Sequence, residues 1–440
     1  TAVISDAGDS VDLSENPSYV EAVTTYQIPA DVTLVLSAAQ ATGRDITGGD
    51  GSLTVISGDV TADTDLTGVL TTLSFADGGE SGVGTIEVTA GDTLTLTMAQ
   101  ADGKVITGAG TVVIAGEPLA DVDLTGIEAT VHFDGDANGS VDDDFEVNGH
   151  ELILRADQAS GKTIAGTGTI TVTELEGKAD ADFSDLTAEN VTISITQDED
   201  VTFTGDLGAS SHEVVLGASA TLSLTAGQAN ARSISGDDST TITVTGLQDG
   251  TDLSDLSNDA TVIAHIDEAA QIAVDGNTNL GRVDEYWFDG SDAATSLTLT
   301  AAEADGVLIT GNGSAIMTGP VNADCDLTDV ESNLDLQDLS LSVSDAHQFE
   351  SLPDGFDITL PELGDAQTLT ISANQVDYEE GVDDPVSLSV AGTGTLVILD
   401  DVDDTVDLTA VDTGVSLSFG GDGTIEVGDG ATLILTPEQA

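Results

Sequence analysis

The sharpest chemical motif in this 440-residue chain is an acidic loop that matches a calcium-binding pattern. Residues 134–146 read Asp-Gly-Asp-Ala-Asn-Gly-Ser-Val-Asp-Asp-Asp-Phe-Glu, with oxygen-bearing side chains at loop positions 1, 3 and 5 and glycine at position 6. Calcium prefers oxygen ligands, and the glycine permits the tight turn. Position 12 is Phe145, so Asp144 or Glu146 would close the shell; the alternative is a solvated acidic hairpin turn. The predicted Ca²⁺ ligands are Asp134, Asp136, Asn138, Ser140, Asp142, Asp144 and Glu146.

Weaker acidic clusters recur at an Asp-Leu-Thr or Asp-Leu-Ser turn. An Asp that caps the turn explains Asp65 and Asp123, but not the Asp two residues before each of them. A calcium site shared between neighbouring units is the alternative. The clusters are Asp63/Asp65, Asp121/Asp123, Asp180/Asp182/Asp185, Asp252/Asp255/Asp259, Asp324/Asp326 and Asp401/Asp403/Asp404/Asp407. The last cluster is the densest, so we predict Asp401, Asp403, Asp404 and Asp407 as a second set of Ca²⁺ ligands.

No arrangement of residues indicates catalysis. The five histidines are scattered, the Gly-x-Gly segments enter strands rather than helices, and acidic pairs are too common for one to stand out. We therefore expect no enzyme; a polysaccharide-degrading β-helix enzyme is a remote alternative. Tyr286-Trp287-Phe288 is unusual in a chain with 3% aromatic residues. We interpret it as a local core, with a sugar-stacking or partner surface as the alternative.

The charge balance excludes two classes of partner. Seven basic and 81 acidic residues give a net charge of −74, so the chain cannot form the basic surface that binds nucleic acids or an anionic membrane. No apolar run is long enough for membrane insertion. High salt or divalent cations must screen this repulsion, which fits a halophilic or a calcium-rich environment. Four basic residues share one repeat position, where we expect them to pair with a helix end and a nearby carboxylate: Arg44, Lys104, Lys162 and Arg232.

Two markers recur in step along the chain, which identifies a repeat protein. The first is a Gln or Glu in an Ala-rich segment: Gln40, Gln100, Gln158, Gln228, Glu303, Gln375 and Gln439. The second is the Asp of the turn: Asp65, Asp123, Asp185, Asp255, Asp326 and Asp407. We divide the chain into an N-terminal segment 1–31, repeats at 32–92, 93–151, 152–220, 221–296, 297–368 and 369–432, and the start of a further repeat at 433–440.

Each unit reads as four or five short strands and one short helix. A strand that alternates Leu with Thr, such as Thr93 to Thr97, leads into a capping box of the type Thr97-x-x-Gln100, and Gly103 ends the helix. The third unit has Arg155 in place of the capping Ser or Thr. The predicted fold is all-β: a β-solenoid resembling a parallel β-helix, with a row of small β-sandwich domains as the alternative.

The signature Leu-Thr-Leu-Thr-Ala-x-Gln/Glu-Ala-x-Gly-x-x-Ile-Thr-Gly-x-Gly, clearest at residues 94–110 and 297–313, resembles the repeats of very large secreted bacterial β-strand-repeat surface proteins. The composition is also similar to that of surface-layer proteins and calcium-dependent repeat adhesins. This resemblance implies a cell-surface or extracellular location, calcium dependence and a role in lattices, filaments or adhesion. The tandem Gly-Gly-x-Gly-x-Asp nonapeptides of one adhesin class are missing.

We therefore expect an extracellular structural protein, a self-assembling, calcium-stabilised subunit of a surface layer, filament or matrix. A calcium-dependent adhesin stalk is the alternative, and cell-surface polysaccharide is a further candidate partner. The chain begins at Thr1, and Leu433 to Ala440 repeat the opening of a unit. From this we expect a fragment or processed chain that associates with itself head to tail.

Overall fold

A computed structural model describes most of the chain, most densely before residue 342. The described residues are 1–4, 10–16, 23–76, 84–135, 137, 142–257, 259–267, 270–274, 278–281, 283–289, 295–321, 325–327, 329–341, 358–359, 368–372, 377–378, 390, 392–399, 405–409, 411–412, 414–419, 427, 432–436 and 439.

The chain divides into two compact units, Thr1–Ala220 and Thr221–Ala440. The strands of the first unit are β1 Ala2–Val3, β2 Ser10–Asp12, β3 Thr25–Ile28, β4 Thr33–Ser37, β5 Asp45–Gly48, β6 Leu53–Ser57, β7 Thr64–Asp65, β8 Thr72–Ala76, β9 Ile86–Glu87, β10 Thr93–Thr97, β11 Ile106–Thr107, β12 Thr111–Ala115, β13 Val122–Asp123, β14 Thr130–Asp134, β15 Asp144–Glu146, β16 Glu151–Arg155, β17 Thr163–Ala165, β18 Thr169–Thr173, β19 Asn190–Ile195, β20 Asp200–Thr202 and β21 Glu213–Leu216.

The strands of the second unit are β22 Thr221–Thr225, β23 Ile234–Ser235, β24 Thr241–Thr245, β25 Thr261–Ile266, β26 Gln271–Ala273, β27 Glu285–Phe288, β28 Ser296–Thr300, β29 Leu308–Gly311, β30 Ser314–Val321, β31 Cys325–Asp326, β32 Asn333–Leu341, β33 Ile358–Thr359, β34 Thr368–Ser372, β35 Asp377–Tyr378, β36 Thr395–Leu399, β37 Thr405–Asp407, β38 Ser416–Phe419 and β39 Thr432–Ile434. The helices are α1 Ala38–Ala41, α2 Met98–Ala101, α3 Ala156–Ala159, α4 Ala226–Ala229 and α5 Ala301–Ala304.

Parallel pairing of successive strands confirms the predicted β-solenoid rather than a row of sandwiches. In the first unit the ladders run β2-β4-β6-β8, β7-β10-β12-β14 and β13-β16-β18-β19-β21; in the second they run β22-β24-β25-β27-β29 and β26-β28-β30-β32-β34-β36-β38. Among the described strands, β35 and β37 pair antiparallel. The fold class is therefore all-β, built from stacked coils.

Period-2 alternation sends one face of each strand into the core. Leu94, Val112 and Val131 lie in register across β10, β12 and β14, and all three side chains are buried. The next inward row, Leu96, Ile114 and Phe133, is fully buried. Because aliphatic side chains of successive coils stack in register, they fill the interior, and few aromatic residues are needed.

Each helix is a single turn of four residues that follows a five-residue strand. Ser37, Thr97 and Thr225 each cap the helix through the box that the sequence predicts. The glycines that end the helices adopt positive φ, as at Gly43 (63°) and Gly103 (61°). In the fourth helix Ala231 takes this conformation with φ of 51°.

The predicted strand count per unit is too low. Between residues 93 and 150 the structure has six strands, β10 to β15, of which β11 and β13 are two residues long. The Ile-x-Gly segment and the Asp-Leu-Thr turn each contribute one of these short strands, because both run alongside a neighbouring coil and pair with it.

Candidate metal centre

The predicted calcium loop leaves the sheet at the end of β14 and returns at β15. Phe133 and Phe145 hold its two ends together in the core, with ring centroids 4.6 Å apart. Gly135 passes so close to the returning chain that a Cβ on it would lie 2.3 Å from the Asp144 carbonyl oxygen. The loop therefore starts and finishes in a fixed geometry, which favours ligand positioning.

Asp143 anchors the C-terminal end of the loop to the neighbouring strands. The sequence analysis did not predict this role. Its carboxylate accepts hydrogen bonds from the Phe133 backbone N–H (2.8 Å) and pairs with Lys162 Nζ (2.8 Å) and His132 Nδ1 (2.9 Å). Burial on its own raises the pKa of Asp143, but the bonds from Lys162, His132 and Phe133 outweigh it and hold the pKa below its ordinary value. A φ of 56° at Asp143 aims the side chain inward.

The predicted ligands fall into three groups. Asp134 is buried, with 4% of its surface exposed, whereas Asp142, Asp144 and Glu146 are exposed. Asp144 and Glu146 flank the inward-facing Phe145 on β15, so both lie on the outer face. Three more predicted ligands lie outside the described residues: Asp136, Asn138 and Ser140.

The donor chemistry of the loop fits a hard cation, since every described candidate offers carboxylate oxygens. Within the part of the chain that the structure describes, no group of three or more His, Cys, Asp or Glu side chains is arranged to hold a metal ion. Of the second predicted set, Asp401, Asp403 and Asp404 lie outside the described residues. Asp407 ends β37, where it pairs in register with Ile434.

A cleft of about 860 Å³ lies beside the loop in the first unit. Asp134, Gly135, Ala137 and the exposed Leu119 are among the residues that line it. The acidic side chains around it are Asp65, Asp102, Glu117, Asp121 and Asp134. The cleft thus combines carboxylates with apolar side chains and is open to solvent.

The first four of these turns are each capped by an Asp carboxylate, which is the capping that the simpler interpretation predicts. Asp65 accepts bonds from both the backbone N–H (2.9 Å) and the hydroxyl (2.7 Å) of Thr67, and Asp123 holds Thr125 in the same way. The preceding Asp has its own partner: Asp63 accepts from the Thr93 N–H (3.0 Å). Asp121 likewise accepts from the Glu151 N–H at 2.9 Å. These acids therefore cap the next opening strand.

The second marker was assigned wrongly in two repeats. Asp182 and Asp252, not Asp185 and Asp255, occupy the position of Asp65 and Asp123. Their carboxylates cap Ser184 and Ser254, and the Asp182 carbonyl accepts the Gly161 N–H just as the Asp65 carbonyl accepts the Gly43 N–H. Hydrogen bonds from the hydroxyl and the backbone N–H of Ser184 hold the pKa of Asp182 below its ordinary value, and the same two groups of Ser254 do so for Asp252. In the third repeat, Asp182-Phe183-Ser184 directly precedes Asp185-Leu186-Thr187, and the sequence alone does not show which of the two triplets forms the turn.

The recurring Gln does more than close a capping box. In Gln158 the side-chain oxygen accepts the Arg155 backbone N–H (2.9 Å), while Nε2 donates to the carbonyls of Leu124 and Ile127 (2.9 Å each) in the previous coil. Gln100 donates to Leu66 and Val69 in the same way (2.8 Å each). We call this two-sided contact the Gln staple; at α1, α2 and α3 it links the helix to the Asp turn of the coil before it.

The four basic residues meet the expectation in part: two bond a helix end and a third pairs with a carboxylate. Arg44 Nε donates to the Gln40 carbonyl (2.6 Å) and Arg232 Nε to the Gln228 carbonyl (2.8 Å), so each cation lies at a helix end. Lys162 forms the predicted ion pair with a carboxylate of the neighbouring coil. No carboxylate of the described chain lies within ion-pair distance of Lys104.

The aromatic cluster is partly core. Tyr286 and Phe288 point inward and are 3% and 2% exposed, whereas Trp287 points outward and is 45% exposed. Burial, with a smaller contribution from Glu303, raises the pKa of Tyr286. The local-core interpretation therefore holds for two of the three rings.

No helix of the described chain is long and apolar enough to cross a membrane. Comparisons with family models, with curated proteins and with solved structures found no match to this chain.

Proposed function

We propose that this chain is an extracellular structural protein: a calcium-stabilised subunit that assembles with copies of itself into a surface layer, filament or matrix. The resemblance of its repeat signature to secreted bacterial surface proteins supports the location and the role. In this proposal Ca²⁺ neutralises the carboxylates, and the principal partner is a second copy of the chain.

The observation that carries the proposal is the recurrence of the Gln staple. Gln40 donates to the Leu13 carbonyl (2.8 Å), and Gln439 donates to those of Leu408 (2.8 Å) and Val411 (3.1 Å), matching Gln100 and Gln158. The residues that recur most regularly therefore serve to stack one coil on the next. Such a sequence supports a structural role, in which each coil contacts its neighbours.

Net charge supports the calcium dependence. Inward positions of the described strands are apolar, so the 81 acidic residues lie mainly on outer faces and in turns, where seven basic residues cannot balance them. Like charges at this density repel both within a coil and between copies. Divalent cations bound by outward carboxylates would remove that repulsion, and the acidic loop around Asp142, Asp144 and Glu146 offers the oxygen ligands that Ca²⁺ prefers.

Removing the loop carboxylates tests this proposal. We expect the triple variant Asp142→Asn, Asp144→Asn, Glu146→Gln to lose most of the rise in melting temperature that CaCl₂ gives over EGTA at low ionic strength. The matched control is Glu128→Gln, Glu176→Gln, Glu189→Gln, which removes the same charge from exposed positions elsewhere in the first unit. Circular dichroism melts in CaCl₂, in EGTA and in NaCl of equal ionic strength supply the measurement.

Two results would count against calcium at this loop. One is a melting curve that EGTA leaves unchanged at low ionic strength. The other is an equal loss of the calcium response in the loop variant and in the control, which would indicate general charge screening rather than a site.

A further inference from the structure

A pocket of about 300 Å³ lies beside α5, at a corner of the repeat that holds a basic residue in the earlier repeats. The backbone shows that the positions are equivalent: the Arg44 N–H donates to the Ala41 carbonyl (3.2 Å), and the Val307 N–H donates to the Ala304 carbonyl (3.1 Å). The first four repeats have Arg44, Lys104, Lys162 and Arg232 at this position. The fifth repeat has Val307 and therefore lacks the cation.

Two equivalent tyrosines show how this difference changes the electrostatics of the corner. Tyr26 of β3 and Tyr286 of β27 are both buried, and each is in register with an isoleucine of the next short strand. Burial raises the pKa of Tyr26, and the positive charge of Arg44 opposes that rise. Burial also raises the pKa of Tyr286, and there the negative charge of Glu303 adds to the rise. A cation thus accompanies the tyrosine in the first repeat, and a carboxylate accompanies it in the fifth.

The pocket offers both an apolar and an acidic surface. Leu280, Val283 and Val307 line it with aliphatic side chains, and the exposed Glu303 lines it with a carboxylate. Oε2 of that carboxylate accepts the backbone N–H and the hydroxyl of Thr300 (2.8 Å each). No hydrogen bond joins the other oxygen, Oε1, to a described residue. The carboxylate therefore keeps an acceptor that a ligand from solvent can reach.

From these observations we propose that the pocket beside α5 binds the cationic end of an aliphatic chain, an alkylammonium or alkylguanidinium group, in place of the basic side chain of the other repeats. Arg44 Nε donates to the Gln40 carbonyl (2.6 Å), and the equivalent acceptor in the fifth repeat is the Glu303 carbonyl. Tyr286 also lines the pocket and is 3% exposed, and no hydrogen bond joins its hydroxyl to another described residue. The Tyr26 hydroxyl is likewise unpaired. The evidence for a ligand is therefore the combination of a missing cation, an added carboxylate and an open pocket.

Charge, size and polarity together select the class of ligand. An anion would be repelled by Glu303 and Asp305, which both line the pocket. A calcium ion prefers about six to eight oxygen ligands and is much smaller than this pocket, whose lining is largely aliphatic. The methylene groups of an alkyl chain would pack against that lining while the charged end meets the carboxylate. The other repeats place the same kind of group at this corner through Arg or Lys.

Isothermal titration calorimetry with cadaverine tests the pocket. The chain is held in EGTA and about 0.5 M NaCl, which screens the general attraction of cations to its negative charge, so the result does not depend on calcium or on assembly. Glu303→Gln installs the amide of the other repeats, and Val307→Lys installs the missing cation. The matched control is Glu128→Gln, which removes the same charge from an exposed position in the first unit.

We expect one saturable site per chain in the parent and in the control. Binding should be weaker by about tenfold or more in Glu303→Gln, because a charge-assisted hydrogen bond is lost. Val307→Lys should not bind cadaverine and should melt at a higher temperature than the parent, since its own ammonium group fills the pocket. Circular dichroism checks that all variants are folded.

A second titration distinguishes two sources of the cation. Cadaverine stands for a free polyamine, and Nα-acetyl-lysine methylamide stands for a lysine side chain of a partner protein. Tighter binding of either probe supports the pocket and identifies the source.

Four results would overturn the proposal: no saturable binding to the parent, equal binding to the parent and to either pocket variant, equal binding of tetramethylammonium, which has no N–H to donate, or displacement of cadaverine by CaCl₂ at equal ionic strength. The last result would reassign the pocket to a metal ion. Arg282 is adjacent in sequence to the pocket and lies outside the described residues, so Arg282→Gln is titrated as well. Binding that appears only in Arg282→Gln would show that Arg282 occupies the pocket in the parent, which also contradicts the proposal.

Discussion

The helices α3 and α5 are equivalent turns of the repeat with opposite local chemistry. At α3 the repeat positions hold Arg155, Gln158 and Lys162; at α5 the same positions hold Thr300, Glu303 and Val307. Both helices begin with a capping bond, from the Arg155 N–H to Gln158 (2.9 Å) and from the Thr300 N–H to Glu303 (2.8 Å). Only the amide of Gln158 can also donate to the previous coil.

The comparison separates two functions that share one side chain. A carboxylate and an amide oxygen cap the helix equally well, because each accepts the backbone N–H. Stacking on the previous coil requires a donor, which Gln158 supplies and an ionised Glu303 does not. Arg155 adds to α3 a second contact with the same coil, since its guanidinium Nη1 donates to the carbonyls of Thr125 (2.9 Å) and Ile127.

The largest effect should follow from giving α3 the residue of α5. In Gln158→Glu the Leu124 carbonyl loses its donor, the Ile127 carbonyl keeps only the bond from Arg155, and both face a carboxylate. We therefore expect a loss of about 3–5 kcal/mol of stability at neutral pH. Hydrogen exchange should rise at the Leu124–Ile127 turn, and protonation below about pH 4 should recover part of the loss. Denaturant melts and exchange mass spectrometry measure both.

The reciprocal change, Glu303→Gln, is the control. It restores a donor without removing the cap, so stability should stay within about 1 kcal/mol of the parent or rise. If hydrogen exchange at the Leu124–Ile127 turn is the same in the parent and in Gln158→Glu, the Gln staple does not contribute to stability.

A smaller effect, with a distinct pH dependence, should follow from breaking the ion pair beside α3. Asp143→Asn leaves the buried Lys162 without its carboxylate, and we expect a loss of about 2–4 kcal/mol near pH 7. Because the folded pKa of Asp143 lies below its unfolded value, its stabilisation is complete above the unfolded pKa of about 3.9 and disappears as pH falls through the folded pKa.

The parent and Asp143→Asn should therefore converge in stability at acid pH. Measuring the difference between the two proteins cancels the general relief of repulsion as the other carboxylates protonate. A difference that is constant from pH 7 to pH 2 would contradict the assigned ion pair.

Local patterns were enough to predict the longer strands and the helices, but not two-residue strands such as β11 and β13. The alternating strand Thr93–Thr97, the capping box that follows it and the glycine stop at Gly103 are each determined by neighbours within a few residues. Stacking into a solenoid followed from repetition combined with short strands and an aliphatic core. The patterns failed where two similar triplets adjoin, as at Asp182 and Asp185, because only pairing with another coil determines which one forms the turn.

The identity of the partners in contacts between coils could not be predicted from the sequence. Gln158 meets Leu124 across 34 residues, and Lys162 meets Asp143 across 19. The first separation is also 34 residues between Gln100 and Leu66 but 31 between Gln439 and Leu408, because the loops between coils vary in length. For the candidate loop, the sequence predicted oxygen ligands, while the anchor of Asp143 on Lys162 and His132 became visible only once β14, β15 and β17 were placed side by side.

Calcium-dependent assembly is the central claim, and sedimentation velocity of the purified chain at low ionic strength tests it most directly. We expect small species in EGTA and large species in millimolar CaCl₂, visible as layers or filaments by electron microscopy and reversed by EGTA, but not produced by NaCl of equal ionic strength. A single monomeric species in both CaCl₂ and EGTA would contradict the proposed function.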